Sequence, residues 1–143
     1  MHFSLRGASG KGRFVTEETK QVHENRTGRL AWVAGPLNGA ENLVVLEAEV
    51  NPGHGRDFHR QAEQEKVIFV ISGQLEQWIE GDMQILQAGD SVYVNKGVVN
   101  ASFCFGDEPV KFLTVLSPCL DGVGFQIEDV SQEEPWRTMR GGR

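Results

Sequence analysis

GHGRDFHRQAEQEKVIFVISG, residues 53–73, is the stretch on which the reading of this chain turns. It begins and ends on glycine, carries His59 and Gln61 two positions apart, and runs through Lys66 into the β-favouring residues Val67 to Ile71. In Lys66-Val67-Ile68-Phe69-Val70-Ile71 the residues of both parities are apolar, whereas a half-exposed strand alternates. The pattern predicts a strand buried on both faces. One face belongs to the interior, and the other needs the N-terminal segment or a second copy of the chain, so a homodimer is expected.

Outward from this stretch the same texture continues. Short β-type runs occur at Leu43 to Val50, Leu75 to Ile79, Met83 to Leu86, Ser91 to Val94, Ala101 to Phe105 and Val110 to Leu116. Between them lie turn residues such as Asn51-Pro52-Gly53, Ser72-Gly73, Ala88-Gly89-Asp90 and Asn95-Lys96-Gly97. Helical periodicity is nowhere sustained beyond about two turns. Many short strands at close spacing predict an all-β sandwich or barrel with little helix. The polar, glycine-rich residues 1–40 predict one or two strands laid across the outside of the barrel. In the tail, Ser131 followed by Glu134 predicts a capping box on a short terminal turn, with Trp136 pinning it to the body.

The 143 residues suffice for one domain with a real core, read here as residues 1–143 with the core at 41–118 and a tail at 119–143. A formal net charge of −6 lacks the clustered Lys and Arg that wrapping a phosphate backbone requires, so nucleic acid is not an expected partner. The basic trio Arg137, Arg140 and Arg143 reads as a solvated end. No segment approaches the roughly 20 apolar residues that span a bilayer, and no signal-peptide stretch opens the sequence. A cytoplasmic protein without a membrane partner is expected, with Cys104 and Cys119 reduced.

The intervals carry a family pattern. Gly53 is followed after five residues by His59, after one more by Gln61, after four by Lys66 and after six by Gly73. A second set reads Gly89, Asn95, Gly97, Asn100 and Cys104, fifteen residues beyond the first. Over residues 41–118 this spacing resembles the two motifs of the cupin family, a jelly-roll β-barrel. The family glycines serve tight corners that need positive φ or close backbone approach. In that family two histidines and a glutamate of the first motif and a histidine of the second converge on a divalent metal. The resemblance therefore places His59, Gln61, Lys66 and Asn100 around one interior pocket.

Those residue types change the chemistry that the resemblance implies. Carboxamide oxygens are neutral, weak ligands, and an ammonium at the glutamate position repels a dication by several kcal/mol at about 4 Å and an effective dielectric of about 20. The expected cofactor is therefore none. The alternative is a rearranged divalent transition-metal site of His54, His59 and Glu65, reached if a one-residue bulge turns Glu65 inward and Lys66 outward. In the family register Lys66 is desolvated, which lowers its pKa unless an anion accompanies it. Charged, it anchors a carboxylate or phenolate; neutral, it acts as a base or Schiff-base amine, with His59 as a proton shuttle. The expected function is a small-molecule-binding cupin, a metal-independent isomerase, dehydratase or cyclase acting on a small organic acid or enol. His59 and Lys66 are the candidate catalytic residues, and Gln61 and Asn100 complete the ligand-binding set. The alternatives are a non-catalytic binder and a metal-dependent dioxygenase or isomerase.

Overall fold

Branched and aromatic runs broken by glycine and asparagine corners set the strand boundaries. In a computed structural model that describes residues 11–141, the strands are β1 (Gln21–Asn25), β2 (Gly28–Ala34), β3 (Val44–Val50), β4 (Gly55–Arg60), β5 (Glu65–Ser72), β6 (Gln74–Ile79), β7 (Asp82–Gln87), β8 (Ser91–Val94), β9 (Asn100–Cys104), β10 (Val110–Ser117) and β11 (Glu128–Asp129). Helix among the described residues amounts to the 3-10 turn Pro36–Asn38 and α1 (Trp136–Met139). Residues 1–10, part of the expected N-terminal strand region, and Arg143 of the basic trio lie outside the described residues. No helix among the described residues is long and apolar enough to cross a membrane.

Antiparallel pairing gives a six-stranded sheet, β1-β2-β3-β10-β5-β8, and a five-stranded sheet, β11-β4-β9-β6-β7. Among the described residues the two layers form a two-sheet sandwich, the sandwich form of the expected jelly-roll barrel or sandwich, and the sheets do not close into a barrel. The N-terminal strands do not lie across its outside either. β2 pairs with β3 from Gly28 opposite Val50 to Ala34 opposite Val45, and β1 pairs with β2, so the pair extends a sheet edge. Hydrogen bonding explains the difference, because the β3 edge offers a full ladder to a strand.

The motif glycines sit where the spacing requires them. Gly73 has φ 76°, and a Cβ there would lie 2.5 Å from the Pro109 carbonyl oxygen, so the β5-to-β6 corner admits no side chain. Gly89, at φ 93°, donates its N–H to the Val70 carbonyl, which ties the β7-to-β8 corner to β5.

Between the sheets, Ala48, Val50, Ile68, Val70, Leu75 and Phe112 form one buried cluster, and Val44, Leu46 and Leu116 form another. A third cluster lies under the C-terminal tail, where Phe58, Ala101, Phe103 and Val130 pack with Trp78 and Trp136. The Phe58 ring takes Trp78 edge-on and Trp136 as a stack, each at 5.6 Å between centroids. Trp136 thus pins the tail as the sequence predicts, but the capping box does not form. The α1 N-cap is Pro135, without a side-chain cap, and the Ser131 N–H instead takes the Asp129 carboxylate.

Burial on both faces belongs to β9, every residue of which is buried, and not to β5. Lys66, Ile68 and Val70 of β5 are buried, while Val67, Phe69 and Ile71 remain 39%, 44% and 39% exposed. The N-terminal strands are spent on the far side of β3 and leave this face open. Val115, Val67 and Tyr93 lie side by side across β10, β5 and β8, so the exposed residues form a continuous apolar stripe. Both cysteines are free thiols.

Candidate functional site

Period-two geometry along β5 sends neighbouring residues to opposite sides of the sheet. Lys66 therefore points inward and is 5% exposed, while Glu65 points out and accepts a hydrogen bond of 2.9 Å from the Tyr93 hydroxyl. The slip that would exchange them does not occur. The alternative metal set of His54, His59 and Glu65 is consequently not brought together, because Glu65 is on the outer face and His54 occupies the turn before β4. Among the described residues no three His, Cys, Asp or Glu side chains converge to hold a metal ion.

Inside, His59 of β4 and Asn100 of β9 are opposite each other in the ladder, and Lys66 reaches both from the facing sheet. Its Nζ donates to Asn100 Oδ1 at 2.6 Å and lies 3.4 Å from His59 Nε2. The Asn100 amide is oriented by its own donor, which bonds the Val98 carbonyl at 3.1 Å and the His59 carbonyl at 3.4 Å. The His59 ring is oriented too, since Nδ1 lies 2.7 Å from the Asp57 carbonyl oxygen. A carbonyl only accepts, so Nδ1 carries the proton and Nε2 presents a lone pair to Lys66.

Electrostatics follow from burial with no acid among the ligands of Lys66. Burial, then the nearby Arg56 cation, pushes the Lys66 pKa down to about 7. Burial, then the Lys66 charge, pushes His59 down to about 4. His59 is therefore a neutral acceptor at pH 7, and the titrating group is Lys66. A neutral lysine has two N–H bonds and one lone pair. With Asn100 and His59 both taking N–H bonds, the lone pair, or the third proton when the amine is charged, is left for the cavity.

That cavity has a volume of about 60 Å³ and is lined on its polar side by Arg56, His59, Gln61, Lys66, Ser102 and Thr114. Ile68 and Phe112 supply apolar wall from the sheets, and Phe125 and Ile127 supply it from the loop after β10. Asn100, expected as a lining residue, stands behind Lys66 and is fully buried. Two contributors escape a reading of the sequence. Arg56 is one, because residues 56 and 59 should face opposite ways on a regular strand. A bulge between them sets Arg56 opposite Ser102 and His59 opposite Asn100, and both line the cavity. Gln64 is the other, fully buried at 1% exposure. Its amide donates to the Pro118 carbonyl at 2.7 Å and the Gly124 carbonyl at 3.0 Å, and its oxygen accepts the Gln126 N–H at 3.3 Å. It holds the loop that carries Phe125 against the cavity.

Residues 46–116 match the family model for a cupin domain. The chain has the cupin-superfamily fold. Solved structures agree over most of its length. The polyketide cyclase RemF from Streptomyces resistomycificus is 18% identical with a TM-score of 0.70, covering 91% of this chain and 94% of that one. KdgF from Halomonas sp. is 15% identical with a TM-score of 0.68, over 76% of this chain and 97% of that one. An uncharacterized conserved protein from Klebsiella pneumoniae with a double-stranded β-helix domain is 24% identical with a TM-score of 0.62, over 82% and 96%. At these identities the likeness establishes the fold and not the chemistry. No curated protein sequence matches the chain.

In this chain the residues at the cupin ligand positions do not suit a dication. The four residues there are His59, Gln61, Lys66 and Asn100, and the Lys66 ammonium sits among the other groups with its donors on Asn100 and beside His59. With Arg56 on the same cavity the local charge is positive, the reverse of what a divalent ion needs.

Proposed function

We propose that this cupin binds a small organic acid or enol in the cavity and moves a proton to or from it with Lys66, as an isomerase, dehydratase or cyclase. The observation that carries the reading is the set of contacts at Lys66 Nζ, with two acceptors behind it and the cavity in front. A group whose pKa lies near the operating pH is the effective acid or base, and Lys66 at about 7 meets that condition. As a base the neutral amine takes a proton from the carbon next to a carbonyl, leaving an enolate. As an acid the ammonium returns a proton to the same or a neighbouring atom. His59 and Asn100 position Nζ and share its charge, and Gln61 offers a side-chain amide to the ligand.

Proton transfer of this kind exchanges carbon-bound hydrogen with solvent. In D2O, followed by proton NMR, the protein is expected to catalyse loss of the signal next to the carbonyl in pyruvate or acetoacetate, and Lys66→Met is expected to abolish it. Exchange that survives unchanged in Lys66→Met sinks the assignment of Lys66 as the base. Ligand binding without any exchange would favour a non-catalytic binder.

The apolar stripe on the outer face of β5 supports a second part of the proposal, a homodimer joined through Val67, Phe69 and Tyr93. Light scattering on a sizing column should show a dimer for the natural chain and a monomer for Phe69→Asp. A monomeric natural chain contradicts this part and leaves the cavity chemistry standing.

A further inference from the structure

Arg56 reaches the cavity through a bulge, and bulges next to sites re-aim side chains. Its guanidinium is partly buried and enters none of the ion pairs or side-chain hydrogen bonds among the described residues. The Gln61 amide, 6% exposed, is likewise without a side-chain hydrogen bond among them. Other buried polar groups are matched, since Gln64 has three backbone partners, Gln77 takes the Ser102 hydroxyl, and Glu76 takes Arg140 and Trp78; among the described residues Arg60 Nε is buried without a hydrogen bond, 3.7 Å from the Glu128 carboxylate. Arg56 and Gln61 are donors that open on one cavity with no side-chain acceptor between them, and a ligand there would supply the acceptors.

The chemistry of those donors selects the acceptor. A guanidinium is a planar fork that fits two carboxylate oxygens, and an adjacent amide N–H can add a third bond. A space of about 60 Å³ beside those donors admits a small ligand, which suits a short acid. The apolar wall of Ile68, Phe112 and Phe125 suits the carbon chain.

We propose that Arg56, assisted by Gln61, is a carboxylate anchor, and that the ligand of this cavity is a short-chain carboxylic acid whose reactive carbon faces Lys66. The inference rests on the reading of the cavity as a ligand site, and narrows the ligand from an acid or enol to an acid held at one named residue. Arg56 is a positioning and specificity residue, since it holds the end of the ligand that does not react.

Calorimetric titration at fixed ionic strength with pyruvate, malonate, neutral malonamide and inorganic phosphate tests it. The two carboxylates should bind at millimolar concentration and malonamide should not. Arg56→Gln should weaken carboxylate binding by about 10- to 100-fold, the loss of a charge-assisted hydrogen-bonded pair. Arg56→Lys should recover part of it, because an ammonium keeps the charge and loses the fork. Lys66→Met should still bind the acids while losing solvent exchange, which separates anchoring from proton transfer. Equal affinity in the natural chain and Arg56→Gln, a preference for phosphate, or no carboxylate binding at all overturns the inference. In that last case solvent exchange on a neutral ketone such as acetone would leave the proton-transfer reading intact. Thermal melts of both Arg56 variants establish that a loss of binding is not a loss of fold.

Discussion

Lys66→Met is expected to stabilise the fold, and to do so most in acid and neutral solution. The native lysine must lose a proton or sit charged in a buried site, and the displacement of its pKa from 10.5 to about 7 measures that conflict. Each unit is about 1.4 kcal/mol, so the buried ammonium costs several kcal/mol where both states are charged. Methionine removes the charge but strips Asn100 Oδ1 of its donor, which costs about 1–3 kcal/mol. A net gain of about 2 kcal/mol is expected below pH 7. The sign over pH follows from proton counting. Between the folded pKa near 7 and the unfolded 10.5, the unfolded native chain binds more protons, so its stability rises with pH across that window. The advantage of the variant is therefore full below about 7, shrinks by about 1.4 kcal/mol for each pH unit above that, vanishes about midway through the window and is a deficit by 10.5. Urea unfolding at about pH 6 and about pH 10 reads the difference directly. A difference that stays constant with pH would show that Lys66 is not a desolvated ammonium.

Gln64→Leu is expected to have the opposite effect. The substitution keeps the buried volume and removes the three hydrogen bonds that join β5's approach to the loop after β10. Two carbonyls and one N–H lose their partner, at about 1–3 kcal/mol for each group kept from water. A loss of about 3 kcal/mol is expected, lowered by whatever solvent reaches the loosened loop. The loop carries Phe125 and Ile127, so the damage extends to the cavity wall. Backbone amide exchange should accelerate in residues 118–127 first and in β9 little. Uniform acceleration throughout the sandwich would mean that Gln64 supports the whole core and not the loop.

The strand texture was legible because glycine corners and branched runs are local properties. All seven expected runs form strands, with ends displaced by at most two residues. The motif spacing also located His59, Gln61 and Lys66 on one cavity, since period-two strands fix parity once register is known. What lay outside reach was long-range. β4 was not anticipated, because Arg56-Asp57-Phe58-His59-Arg60 offers one apolar residue in five, and its burial comes from Trp136 far along the chain. The bulge that turns Arg56 inward leaves no trace in residue type. Gln64, between two glutamates, reads as solvated surface; only the loop folding over it makes it interior. The choice between sandwich and barrel was out of reach for a similar reason, since edges are decided by partners and not by the strands themselves.

The three consecutive residues Gln64, Glu65 and Lys66 each serve a different region: the loop after β10, the outer face at Tyr93, and the cavity. Because strand parity alternates, losing or gaining one residue before them would send glutamate inward and lysine outward at a stroke. This segment can therefore diverge by exchanging side chains but not by changing length, and a lineage could alter what the cavity accepts one substitution at a time while the intervals between its glycines stay fixed.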